Sequence, residues 1–166
     1  IGISIVAHTA SIMSFSGDPN AVIPQAVAFA QNALKSAYKE ASVKRFVFTS
    51  SSAATYSARQ GVPGVDITED SWNESAVKAA WADPPYTPDR GGVVYAASKT
   101  EAERAVWKYH NENREKRPDL VVNTGEDCQA VRFVLETDTF QSFPTSTLAN
   151  LWIWPARNIL AVPLFP

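Results

Sequence analysis

In the stretch Gly91 to His110, which reads GGVVYAASKTEAERAVWKYH, a phenol and an ammonium stand four residues apart, Tyr95 and Lys99. If the stretch is helical, positions i and i+4 lie one above the other on one face, so both groups can act on a single ligand. The chemistry open to such a pair is proton transfer. A carbonyl that receives a hydride develops negative charge on oxygen and needs a donor that gives up a proton as that charge appears. A phenol, with an ordinary pKa of about 10, is poorly matched to neutral pH, and an adjacent ammonium stabilises the phenolate. Tyr95 is then the candidate acid and Lys99 the group that tunes it. Ser51, in FVFTSSS, is the third candidate, a hydroxyl that holds the carbonyl oxygen without ionising. The hydride must come from a cofactor, because no side chain supplies one. Taken alone, the pair also fits a surface lysine beside a half-buried tyrosine, and hydroxyls after a strand also serve as turns and caps.

The elements around these residues decide whether they can meet. Ile3, Ile5 and Val6 lead into AHTAS, a short buried-strand pattern ending in small and hydroxyl residues. After the break SFSGDPN, Val22, Ile23, Val27, Ala30, Leu34 and Tyr38 recur at helical spacing, which predicts a helix from about Asn20 to Lys39 with Pro24 in its first turn. FVFTSSS is β-branched and aromatic throughout and suits a strand covered on both faces. A long polar segment follows, about residues 53 to 92, with a short helix expected near Ser75 to Trp81 capped by Asn73 or Ser71. The Tyr95 helix is expected from about Val94 to Glu115, with Ala97, Ala102, Ala105, Val106 and Tyr109 among its packing positions, and RPDLVVNT reads as another buried strand. This alternation predicts an α/β fold with a doubly wound parallel sheet, in which ligands sit at the carboxyl ends of the strands. From Gly125 onward the pattern weakens to one plausible helix around Thr147 to Trp154 and a proline-bounded apolar tail.

Bulk properties narrow the chemistry. The 166 residues, 45% hydrophobic and 19% charged, suffice for one domain with a core. A formal net charge of −2 without basic runs gives no reason to expect nucleic acid or an anionic membrane. No apolar run reaches the ~18 residues of a membrane span. The single cysteine, Cys128, excludes an intrachain disulfide and a cysteine metal cluster, and His8 and His110 lie in no ligand-like spacing. A small-molecule substrate and a cytoplasmic location are the expectation.

The stretches VAHTASIMSFSGDP, SVKRFVFTSSSAA, DSWN, VYAASKTEAERAVWKYHNEN and LVVNT together resemble the extended short-chain dehydrogenase/reductases, in particular the branch of dihydroflavonol reductases and fungal aldehyde or ketone reductases. The resemblance runs from about Ile3 to Asn123. It implies a Rossmann-like fold and places the family's catalytic serine, tyrosine and lysine on Ser51, Tyr95 and Lys99. It also implies that Ala10 and Ser11 line the cofactor, that Lys99 bonds the nicotinamide ribose, and that NADPH is preferred over NADH. The family's helix asparagine maps to Asn32, and Trp72 and Trp81 fall in its variable substrate-side region, where each also reads as a core aromatic.

Two departures from the family matter. The glycine-rich GxxGxxG turn that lets backbone and helix N-terminus approach the pyrophosphate is absent from these residues. By the length of the strand and helix repeats in such folds it would lie roughly 70 to 80 residues upstream of Ile1. The chain therefore reads as lacking an N-terminal βαβ portion. Residues 1–124 would be the later half of the dinucleotide-binding domain, and 125–166 the start of a substrate-binding region. Inactivity of the chain as given, and association through uncovered strands, follow as expectations. The second departure is NTGEDCQAVRF, where relatives carry a proline followed by a glycine against the nicotinamide; here Gly125 and Glu126 take that place, with Val131 near the expected glycine. The primary reading is an NADPH-dependent aldehyde or ketone reductase. The alternatives are a sugar-nucleotide epimerase or dehydratase, which uses the same three residues with a permanently held cofactor, and a non-catalytic dinucleotide-binding or scaffold protein.

Overall fold

A computed structural model describes residues 2–57, 67–68, 70–126 and 159–162. Its strands are β1 (Ile5–His8), β2 (Arg45–Ser50), β3 (Val121–Glu126) and β4 (Ile159–Val162), and its helices are α1 (Pro19–Lys39), α2 (Glu74–Ala80) and α3 (Gly91–Asn113). The strands form one sheet in the order β3-β2-β1-β4, with every neighbouring pair parallel. Parallel neighbours need crossover connections, and α1 between β1 and β2 and α3 between β2 and β3 supply them. The α/β fold read from the sequence is thus the one observed.

Register explains the core. Val6, Phe46 and Val122 are partners across β1, β2 and β3, and so are His8, Phe48 and Thr124 one pleat further on. These residues share a face, and Val6, Phe46, Phe48 and Val122 pack there against Ala30, Leu34 and Ala37 of α1 and Ala102 and Val106 of α3. Phe46, Leu34 and Val106 are fully buried, so each contributes on the order of 1.5–3 kcal/mol of burial. A second cluster of Val22, Ile23, Ala80, Val94 and Ala97 joins α1, α2 and α3 beyond the strand ends.

Several boundaries differ from the sequence expectations. Asp18 caps α1 by accepting the Asn20 N–H at 2.9 Å, and Pro19, not Pro24, occupies the first turn. Pro24 lies inside the helix on its exposed side, where solvent can satisfy the carbonyl left without a donor. The first position of α3 is Gly91, three residues before the expected start. Glycines usually break helices, but here a Cβ on Gly91 would lie 2.1 Å from the Phe15 carbonyl oxygen, so the residue serves close backbone approach. The short helix α2 appears as expected, capped by Asn73 and not Ser71. The apolar tail contains β4, which pairs along the edge of β1 that was expected to be uncovered. The expected helix at Thr147 to Trp154 and the departure at Val131 lie outside the described residues.

Candidate active site

Three consecutive serines carry the chain from the end of β2 into the next turn, and the structure gives them different work. Ser50 turns its hydroxyl to the sheet face under α3, where it donates to Glu103 Oε2. Ser52 is exposed in the 3-10 turn that follows, Ser52–Ala54. Ser51 is half-buried between them and caps that turn, its Oγ accepting the Ala53 N–H at 3.3 Å. A hydroxyl that accepts one bond keeps its proton to donate.

The turn is held from two sides. Asn73, buried, donates through Nδ2 to the Ala53 carbonyl at 2.8 Å while its Oδ1 caps α2 by accepting the Ala76 N–H at 3.0 Å. Its own N–H donates to the Ala54 carbonyl at 2.9 Å. Thr100, fully buried in α3, has its hydroxyl 3.1 Å from the same Ala54 oxygen and 3.0 Å from the Ala96 oxygen.

Tyr95 is the fifth residue of α3 and half-buried, with the Phe15 ring lying over it at a centroid separation of 5.5 Å. Phe15 has φ 49°, a left-handed conformation that few side-chain-bearing residues adopt. Its carbonyl packs closely against the backbone of Gly91. One turn along α3, Lys99 is 5% exposed. Its Nζ donates to the Thr49 carbonyl at 3.2 Å and lies 5.8 Å and 5.9 Å from the centroids of Phe48 and Tyr95. Burying an ammonium is costly unless it is bonded, and the carbonyl and the two ring faces offset part of that cost. His8 stacks on the Phe48 ring at 5.7 Å, and burial, followed by the Lys99 charge, pushes its pKa down to about 4. The imidazole is therefore neutral at neutral pH.

Ala10, Ser11 and Lys99 line one pocket together with Ile12, Phe29, Phe48 and Ser98, between the β1–α1 connection, α1 and α3. Three of the four residues assigned to cofactor binding thus meet, and Tyr95 stands outside that lining. Asn32 is exposed on α1. The two tryptophans are not core residues. Trp72 lies under the Arg104 guanidinium at 5.0 Å, and Trp81, 43% exposed, donates Nε1–H to Glu101 at 2.7 Å. His110 accepts or donates at Nδ1 with the Tyr38 hydroxyl at 2.8 Å, far in sequence from His8 and on a different cluster of rings.

Sequence reading missed Glu103. Its Oε1 accepts the Thr124 hydroxyl of β3 at 2.6 Å while Oε2 accepts Ser50 of β2. The signal was available, since Tyr95, Lys99 and Glu103 repeat at four-residue intervals along one helical stripe.

Comparison with known proteins gives the family. The NAD-binding family described as male sterility protein matches residues 2–143. Among curated relatives, the NAD-dependent epimerase/dehydratase terH of Aspergillus terreus is 45% identical over 119 residues, 72% of this chain and 34% of that one. Aldehyde reductase 2 of Sporidiobolus salmonicolor is 42% identical over 163 residues, covering 96% of this chain and 46% of that one. The crystal structure of yeast methylglyoxal/isovaleraldehyde reductase Gre2 complexed with NADPH superposes with a TM-score of 0.55 at 29% identity, over 74% of this chain and 34% of that one. The chain spans between a third and a half of the length of these relatives.

Proposed function

Because the chain belongs to the NAD-binding family described as male sterility protein, and with it to the extended short-chain dehydrogenase/reductases, we propose that it carries the catalytic residues of an NADPH-dependent reductase of aldehydes or ketones. The observation that carries the reading is the position of Lys99. Its buried ammonium bonds the carbonyl of Thr49, two residues before Ser51, and stands one helical turn from Tyr95. Lys99 shares a small cleft with Ala10 and Ser11, the two residues after β1 that the family resemblance assigns to the cofactor, so its ammonium stands on the side of the sheet where the ribose would lie. NADPH, when bound, supplies the hydride. The protein's own part is electrostatic and protic. Ser51 donates to the carbonyl oxygen and orients it, Tyr95 gives that oxygen its proton as charge develops, and Lys99 stabilises the phenolate left behind. The single cysteine fits a cytoplasmic setting, and among the described residues no helix is long and apolar enough to cross a membrane. Residues 125–166 would begin the substrate-binding part.

NADPH titrated against the 166-residue chain by fluorescence, with NADH alongside, tests the cofactor half. Saturable binding that is tighter for NADPH, and at least about fivefold weaker in Lys99→Met, is expected. Unchanged affinity in that variant removes the ribose role of Lys99. The catalytic half is tested by Tyr95→Phe in a chain extended to the length of its relatives, with an expected loss of about 100-fold or more in kcat. Reduction at the parental rate would show the proposed acid to be wrong.

A further inference from the structure

Glu103 is half-buried on α3, two helical turns beyond Tyr95 and one beyond Lys99. Its neighbours Glu101 and Arg104 face away from the sheet, bonded to Trp81 and Glu74, which leaves Glu103 as the acidic residue of this segment that turns toward the strands. Both its oxygens are in use. One accepts Ser50 at the last position of β2 and the other accepts Thr124 of β3, so a single carboxyl group ties the carboxyl ends of two adjacent strands to the helix. A second tie runs beside it, from Lys99 Nζ to the Thr49 carbonyl. Thr49 and Ser50 are thus fastened to Lys99 and Glu103, and the next residue is Ser51.

This arrangement matters because the proposed site is divided between two elements. Tyr95 and Lys99 ride on α3 and move together, whereas Ser51 sits on the turn after β2. A displacement of α3 along the sheet keeps the phenol beside the ammonium but separates both from the serine hydroxyl. We propose that Glu103 is a positioning residue, holding β2 against α3 so that the Ser51 hydroxyl and the Tyr95 phenol address the same carbonyl oxygen. The proposal rests on the catalytic reading given above. It assigns Glu103 no contact with substrate or cofactor.

The cost of failure is set by geometry. Misplacement by about 1 Å of a group that orients a reacting atom lowers rates by up to about 100-fold. Glu103→Ala also leaves the two strand hydroxyls without their acceptor, which adds disorder at the ends of β2 and β3. Glu103→Gln keeps the reach, one acceptor oxygen and an amide that can donate to the other hydroxyl.

A double-mutant cycle separates positioning from general support of the fold. In a chain extended to the length of its relatives, kcat for carbonyl reduction is measured for Ser51→Ala, Glu103→Ala and the pair, with Glu103→Gln as the conservative variant and Val106→Ala, in the buried core of the same helix, as a stability control. Glu103→Ala is expected to lower kcat about 10- to 100-fold with NADPH affinity changed less than about twofold, and to cost less than about threefold more once Ser51 is already alanine. Glu103→Gln should stay within about threefold of the parent. Additive losses, or a Val106→Ala variant that lowers kcat and couples to Ser51 equally, overturn the proposal. If Ser51→Ala by itself leaves kcat intact, it is the catalytic reading that fails. Amide hydrogen exchange on the 166-residue chain supplies an independent check. The amides of Ala53, Ala54 and Thr55 should exchange at least about tenfold faster in Glu103→Ala than in the parent while those of α1 stay protected. Unchanged exchange in that turn also overturns it.

Discussion

At the scale of the residue, one buried cation dictates the state of its surroundings. Lys99 needs every nearby group to accept or at least not to oppose its charge, and the imidazole of His8, on the same face of the sheet and stacked on Phe48, is the group most exposed to that demand. Burial and the Lys99 charge act on His8 in the same direction, toward the neutral form, and bring its pKa from 6.5 to about 4. Between these two values the unfolded chain binds a proton that the folded chain refuses. The His8 contribution is therefore complete above about pH 6.5 and is lost as pH falls toward 4, up to roughly 3 kcal/mol over that window. His8→Leu removes the titrating group, and Nδ1, being unpartnered, loses no hydrogen bond. Urea midpoints measured from pH 7 to pH 4 should fall less steeply in this variant than in the parent; parallel slopes would mean that folding does not depress the His8 pKa. Tyr95 and Lys99 were legible at this scale because their chemistry and spacing both stand out in the sequence. His8 was not, since nothing in a lone histidine after a short apolar run says that its neighbour across the sheet is a phenylalanine under an ammonium.

At the scale of the element, the site depends on how the connection after β1 meets the start of α3. Two glycines make this possible. A Cβ on Gly17 would lie 2.0 Å from the Thr87 carbonyl oxygen, and one on Gly91 2.1 Å from that of Phe15, both backbone atoms that cannot swing aside. Gly92, adjacent in sequence, would meet nothing within 4 Å. The two positions therefore respond oppositely to the same change. Gly92→Ala should raise the thermal midpoint, since alanine is favoured over glycine in a helix by up to about 1 kcal/mol. Gly91→Ala should lower it despite that gain and shift Phe15 from the Tyr95 ring, seen as a change in the near-ultraviolet spectrum of the aromatic pair. Equal behaviour of the two variants would contradict the close approach. Such a contact between residues 76 positions apart leaves no local trace, which is why the start of α3 was expected three residues too late. The capping of α2 by Asn73 was legible, because an N-cap signal is local. The same side chain's second bond, to Ala53 two residues after the candidate serine, is a long-range contact and was not.

At the scale of the whole molecule, the sheet order β3-β2-β1-β4 puts the candidate site over the carboxyl ends of its central strands and leaves stability to be secured elsewhere. Arg117 does much of this away from the site. Its guanidinium donates to the carbonyls of Ala37, Tyr38 and Glu40 at the end of α1 and of Val43 before β2, and pairs with Asp119. The parallel α/β alternation was readable from hydrophobic patterning, because strands buried on both faces give unbroken apolar runs. The place of β4 was not readable, since a four-residue apolar run bounded by irregular sequence carries no information about which edge it joins. That edge is β1, and pairing runs along all of it from Ile5 against Ile159 to His8 against Val162. Without β4, the N–H and C=O groups on that side of Ile5 to His8 lose their partners, and an unpaired edge of a mostly buried strand is a template for another chain. A chain ended at residue 158 should accordingly sediment as larger species as its concentration rises and unfold at a lower temperature than the 166-residue chain. If instead it keeps the same sedimentation profile and midpoint, β4 contributes neither cover nor stability, and the edge of β1 must be protected by its shortness alone.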